Sequence, residues 1–261
     1  MRCTSYFSFT FDDGNISQIC DYYPILRKYN FPATFYVTAS EIGRPGKLTI
    51  DDLHSLVENG SEIGSHGWKH RPLMRLSPEE LQIELLHSRD ILKSFDAKSF
   101  AYPYGRYDRR IESEVERYYE SARGHTGYVA ANKRSSLSRY SILSFSVDGK
   151  YSGRINPHSP DYILHKRHLF QSANWSIVTL HGRTKLNPRG IKNLLKPERF
   201  TPEQVRGILF DIRARVKSTC DQPLRHFEAL CVGLARQGTR VTTVSAGLQH
   251  FDQSSSSNRF S

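Results

Sequence analysis

The chain has 261 residues, of which 38% are hydrophobic and 24% charged, enough for a folded protein with a sizeable core. Its net charge is +11 and its mean hydropathy −0.55, and no apolar run approaches the ~18 residues of a membrane span, so no transmembrane segment is expected in it. The basic residues are scattered and match no nucleic-acid module, so nucleic acid is not expected as a partner.

In chain order, YFSFTF (6–11) predicts a strand, ISQICDYYPILRKYN (16–30) a helix interrupted at Pro24, and PATFYVT (32–38) a second strand. TIDDLHSLVENG (49–60) predicts a helix capped by Thr49, with Ile50, Leu53, Leu56 and Val57 apolar. SEIGSHG (61–67) is a short strand and its exit. SPEELQIELLHSRDILKSF (77–95) is a helix with Ser77 as cap, Pro78 in the first position and Glu80 completing a capping box. SFAYPYG (99–105) predicts a strand and turn, YDRRIESEVERYYESA (107–122) a helix, and 127–132 and 140–148 strands, with a weaker helix near 160–171. WSIVTLHG (175–182) is a strand, 183–199 a basic loop, 202–217 and 223–237 helices, and TRVTTVSAGL (239–248) a last strand. Residues 5–250 are expected to form one domain and 251–261 a disordered tail. The N-terminus lacks the layout of a signal peptide, and a cytoplasmic protein is expected. Cys3, Cys20, Cys220 and Cys231 have no metal-knuckle spacing and read as buried thiols.

Strand–helix alternation over most of the chain points to an α/β fold, a parallel sheet or barrel, in which reactive groups sit at the C-terminal ends of strands. Four strand ends carry chemistry: Asp12 and Asp13 after the first, His66 and His70 after the third, YPYG (102–105) after the fourth, and His181 after the late strand. His66 and His70 are four apart, which on a helical turn puts both rings within reach of one ion. Two histidines and one carboxylate form a known zinc set, with one of the adjacent aspartates as the third ligand. The ion would offset the repulsion of the two carboxylates and leave the second free to take a proton from activated water. The alternative for Asp12-Asp13-Gly14 is a strand-ending turn. His181 is either structural or a general acid.

TFDDG (10–14), SHGWKH (65–70), FAYPYG (100–105) and TLHG (179–182), in this order, resemble the motif set of the polysaccharide deacetylases, carbohydrate esterase family 4, over roughly residues 5–250. The resemblance implies a single-domain, distorted (β/α) barrel of seven or eight mostly parallel strands and a metal-dependent hydrolase that removes N-acetyl groups from amino sugars of a glycan or glycan precursor. It implies Asp12 as base, Asp13, His66 and His70 as ligands of a divalent ion (most often zinc), and His181 as acid. The Tyr104 backbone N–H would hold the oxyanion, with Pro103 and Tyr104 shaping the groove floor. Trp68 either stacks on a sugar or packs. The partner is then a carbohydrate or small-molecule substrate. Alternatives on the same scaffold are hydrolysis of formamides or cyclic ureides, or glycan binding without catalysis.

The sequence departs from the pattern in three places. Gly67 stands where a Ser or Thr usually braces the second ligand. Ala101 stands where an arginine usually pairs with the base, and Arg106 and Arg139 are the candidates to replace it. For the fourth motif, which supports the catalytic histidine, Asp148 is the nearest candidate. The segment 183–199 lines the cleft or forms a solvated insertion. HKRH (165–168) is read as solvated and Trp175 as core.

Overall fold

Alternation of side chains in β1 (Tyr6–Phe11) sets the layers. Phe7, Phe9 and Phe11 pack outward among residues of the surrounding helices, such as Leu26, Leu53 and Leu230. Ser8 and Thr10 face the other way, toward Trp175 and Thr179. The computed structural model describes residues 5–126, 128–147, 163, 174–182 and 224–256.

β2 (Ala33–Val37), β3 (Glu62–Ser65), β4 (Ser99–Ala101) and β5 (Ser121–Arg123) follow on one side of β1, all parallel, and β8 (Asn174–Leu180) lies parallel on the other. β6 (Asn132–Lys133) pairs antiparallel to β8, while β7 (Phe145–Ser146) pairs parallel to it. The bridges Arg123↔Ile142 and Thr126↔Phe145 join β5 to the chain leading into β7. The ring β1-β2-β3-β4-β5-β7-β8 therefore closes, giving the α/β distorted barrel of mostly parallel strands that the sequence implied.

The helices follow from their caps. In α2 (Ile50–Glu58) and α3 (Pro78–Ile91), Thr49 and Ser77 close capping boxes with Asp52 and Glu80. Leu53 and Leu56 of α2 are buried, but Ile50 and Val57 are exposed. Pro24 does not break its helix: a π-helical turn, Gln18–Tyr22, leads into α1 (Tyr23–Lys28), and Pro24 occupies the first turn, where its missing N–H costs nothing.

Several expectations are corrected. The helix expected over 107–122 is α4 (Arg109–Val115), and its last residues form β5 instead. The strands expected at 127–132 and 140–148 shrink to β6 and β7. Helix α5 (224–236) lies close to its expected range. The final strand is only β9 (Arg240–Val241), which pairs with β1 at Tyr6 and Phe7, below the reach of β2. Thr243 then starts α6 (Val244–Ser256), its Oγ1 accepting from Ala246 N–H. The expected domain end at 250 falls inside α6. The expected helices near 160–171 (Ile163 apart) and at 202–217, HKRH, the segment 183–199, Asp148, Cys3, Cys220 and residues 257–261 lie outside the described residues. Cys231 is buried and Cys20 partly so. Among the described residues no helix is long and apolar enough to cross a membrane.

Helix α6 plugs the barrel at the N-terminal ends of the strands. Val244, Leu248 and Phe251 pack with Tyr36, Trp175 and Ile177, and a Cβ on Gly247 would lie 2.6 Å from the Trp175 ring. Its first N–H groups, which have no partner within the helix, are met by the sheet: Val244 N–H by Thr34 Oγ1 at 2.9 Å and Ser245 N–H by Glu62 Oε2 at 2.9 Å. Glu62 also accepts from Thr34, Ser99 and the Ser245 hydroxyl. Glu62→Ala is expected to lower unfolding free energy by about 2–3 kcal/mol in denaturant titration, because it strands several donors at once. Turnover per folded molecule should be unchanged, since Glu62 lies at the opposite end of β3 from the residues described next.

Candidate active site

The inward register of β1 continues from Ser8 and Thr10 to Asp12, whose N–H donates to Leu180 O at 2.8 Å. The chain then turns through two left-handed residues, Asp13 (φ 72°) and Gly14 (φ 64°). A Cβ on Gly14 would lie 3.1 Å from Val37 Cγ1, so the turn needs glycine both for its φ and for its closeness to β2. The turn is held from outside: Leu48 N–H donates to Gly14 O at 2.9 Å, and Lys47 Nζ donates to Asp13 O at 3.0 Å while pairing with Glu41 at 2.6 Å. Asp13 is thereby turned away from Asp12 and toward the histidines.

His66 and His70 meet without a helical turn. They lie on an irregular loop after β3, in which Gly67 (φ 80°) and His70 (φ 55°) are left-handed. The His66 Nδ1–H donates to Ala101 O at 2.8 Å, which leaves Nε2 as the free electron pair. Burial, opposed by the carboxylates of Asp12 and Asp13 and reinforced by His70, pushes the His66 imidazolium down to about 4, so the ring is neutral at neutral pH. His66 Nε2 lies 3.2 Å from His70 Nε2 and 3.7 Å from Asp13 Oδ1, and His70 Nε2 lies 3.5 Å from the same oxygen. Ligands about 2.0–2.2 Å from a tetrahedral ion stand about 3.3–3.6 Å apart. Both the spacing and the donor set, two imidazoles and a carboxylate, therefore fit a divalent ion.

The expected arginine is supplied from the neighbouring strand. Ala101 is fully buried, and its register partner on β5 is Arg123. Arg123 pairs with Asp12 Oδ1, donates to Ser144 Oγ at 3.3 Å, and lies over the Tyr36 ring at 4.5 Å. Arg123, and neither Arg106 nor Arg139, is the cation on Asp12. Burial raises the Asp12 carboxyl's pKa, but Arg123, His66 and His181 outweigh it and hold the group below its ordinary value, so it is ionised at neutral pH.

His181 directly follows β8, the strand beside β1, while the ligand histidines come off β3 on β1's other side. Its carbonyl accepts from Asn15 Nδ2 at 2.7 Å and Gln18 Nε2 at 3.2 Å, tying the end of β8 to the turn after β1. A cavity of about 200 Å³ brings Asp12, Asp13, His66, His70 and His181 together. Its other walls are Tyr102, Tyr104, Gly105, Arg123, His125 and Thr179. Tyr104, left-handed at φ 60°, sets its ring edge-on to His70 with centroids 4.7 Å apart. Pro103 is buried beneath the turn and is not a wall of the cavity. Neither is Trp68, whose ring meets His87 at 4.4 Å and Lys69 Nζ at 3.9 Å.

Arg123 and His125 are missing from the sequence-based site. Their signal is SARGH (121–125), a short strand followed by polar residues, but the helix expected over 107–122 takes its first two residues and hides the strand.

Arg123→Met leaves Asp12 buried without its counter-charge and should cost about 3–5 kcal/mol in denaturant unfolding at neutral pH. Asp12→Asn combined with Arg123→Met should recover part of that loss, and a double-mutant cycle measures the coupling. Because Asp12 is depressed on folding, its share of the coupling is full above the ordinary aspartate pKa of 3.8 and disappears as pH falls below it.

Residues 3–119 match the profile of the polysaccharide deacetylase family. The putative polysaccharide deacetylase YxkH of Bacillus subtilis (strain 168) is 31% identical over 111 residues, 41% of this chain and 40% of that protein. Peptidoglycan-N-acetylmuramic acid deacetylase PdaC of the same strain is 30% identical over 114 residues, 41% of this chain and 23% of that one. The match thus spans well under half the length of either relative. The crystal structure of the Xyl-CE4 domain of a multidomain xylanase from the hindgut metagenome of Trinervitermes trinervoides has the same fold, with a TM-score of 0.59 at 17% identity, covering 93% of this chain and 89% of that one. Through residues 3–119 the chain is thus similar to the polysaccharide deacetylase family, and it has the fold of the Xyl-CE4 domain.

Proposed function

We propose that the chain is a metal-dependent hydrolase that removes N-acetyl groups from amino sugars of a glycan or glycan precursor. The observation that carries this reading is the division of labour at the rim: three ligand atoms 3.2–3.7 Å apart, beside a carboxylate held separately by Arg123. The names of PdaC, a peptidoglycan-N-acetylmuramic acid deacetylase, and of YxkH, a putative polysaccharide deacetylase, support the substrate class.

Asp13, His66 and His70 would hold the ion, for which zinc is the best match to the donor set. When bound, it supplies Lewis acidity to an acyl carbonyl and to water. Asp12, kept ionised by Arg123, accepts the proton of the attacking water. Tyr104, left-handed at the rim, offers its backbone N–H to the carbonyl oxygen as negative charge develops there. His181 donates a proton to the departing sugar nitrogen, and acetate leaves. Arg123 touches neither water nor substrate in this scheme; it orients Asp12 and prevents its protonation.

Asp13→Ala and His66→Ala should each abolish metal binding, measured by calorimetry, together with acetate release from N-acetylglucosamine oligosaccharides. Asp12→Asn should retain the metal and lose about 10²–10⁴-fold in turnover. Full activity in a metal-free His66→Ala protein would refute the mechanism, and release of formate or ammonia in place of acetate would refute the substrate class.

A further inference from the structure

Glu80, Glu84 and Ser88 stand four apart on α3 and so share one face. That face is turned to the loop that carries His66 and His70. Glu80 pairs with Arg71 at 2.7 Å, just past the loop. Glu84 Oε1 accepts from Lys69 N–H at 2.6 Å, in its middle. The Ser88 hydroxyl meets Ser65 Oγ at 2.5 Å at its start, and Ser65 Oγ accepts from Gly67 N–H at 3.2 Å. On the loop's other side the backbone holds it: Ala39 N–H donates to Gly67 O at 3.0 Å and Ser40 N–H to Trp68 O at 2.9 Å.

Glu84 is the unusual member. Only 1% of its surface is exposed, and its neighbours Leu81 and Leu85 belong to an apolar cluster. A carboxylate there costs free energy that an apolar side chain would not. The loop also fits itself to this carboxylate: a Cβ on residue 67 would stand 3.0 Å from Glu84 Oε1, and Gly67 has none. The peptide that Glu84 grips leads directly into His70, whose left-handed φ of 55° turns its ring toward Asp13.

We propose that Glu84, with Ser88 one turn further on, is the positioning element of the metal centre. Its carboxylate oxygen fixes the Lys69 N–H, and through it His70, in the geometry that brings both imidazoles to Asp13. This rests on the metal-site reading above.

Cobalt(II) is the probe, with affinity and the visible absorption of the ligated ion as readouts. Glu84→Asp keeps the charge but draws the acceptor back by one methylene. Glu84→Gln keeps the acceptor and removes the charge. Positioning by the hydrogen bond requires that Glu84→Gln bind cobalt within about threefold of the unaltered chain with the same spectrum. Glu84→Asp should then bind about 10–100-fold more weakly with an altered spectrum, the usual cost of losing an outer-shell partner. Aspartate binding like the unaltered chain, or glutamine weakened as much as aspartate, overturns the proposal. If Glu84→Asp does not fold by circular dichroism, Ser88→Ala carries the same readout: weakened binding supports the positioning face and unchanged binding overturns it. Failure of the unaltered chain to bind cobalt overturns the metal-site reading itself, and this inference with it.

Discussion

Asp12 has 5% of its surface exposed and Arg123 2%, and a carboxylate so deeply buried costs several kcal/mol unless a cation accompanies it. The pair holds the mouth of the barrel together. It requires β5 to face β1 across the interior, although the two strands stand four places apart in the sheet order. It also requires a floor under the guanidinium, which Tyr36 provides, lying in turn on Gly64 where a Cβ would come within 2.5 Å of the ring. Ser144 takes a further N–H of Arg123, passes its own proton to Gly124 O and accepts from Thr179. Polar residues on the inner face of three strands, with Ser144 just before β7, are thus committed to keeping one carboxylate charged and in place.

Around this pair the backbone is strained. Among the described residues, five that are not glycine have positive φ, and three of them, Asp13, His70 and Tyr104, line the cavity. Such conformations cost about 1–3 kcal/mol each and persist only where the surroundings over-determine them. The surroundings here are specific: Lys47 and Leu48 at the Asp13 turn, Glu84 and the 39–40 backbone at the His70 loop, and the His125 backbone 3.0 Å from a Cβ on Gly105, beside Tyr104. The Asp13 turn and the His70 loop are therefore each clamped by elements that present no functional group, whereas the Tyr104 loop is held by a segment that itself lines the cavity.

Much of this was legible in the sequence. Period-two alternation in SFTFDD and SIVTLH places Asp12 and His181 on the inner face, and strand-end logic gathers the motifs onto one rim. The pairing of His66 with His70 was also legible, but for the wrong reason: four-residue spacing suggests a helical turn, whereas left-handed Gly67 and His70 form the loop. Arg123 was hidden because a strand of three residues, Ser121–Arg123, is too short for alternation to show, and the helical sequence pattern of α4 runs on through Tyr118 and Tyr119. The C-terminal error has the opposite origin. The β-branched run in TRVTTV favours a strand, but the Thr243 hydroxyl begins a helix that the barrel floor then buries. Glu84 was invisible for a third reason: a glutamate in an amphipathic helix reads as surface unless the loop above it is known.

The register Ala101↔Arg123 bears on how such chains are compared. Two residues side by side on neighbouring strands point into the same volume, so a guanidinium can reach one carboxylate from either strand without altering the connectivity of the fold. A motif written along the chain treats the two origins as presence and loss. A description written across the sheet treats them as one group with two possible points of attachment. Alignments that gather barrel sequences by strand register rather than by consecutive residues would therefore group together enzymes that linear motifs divide.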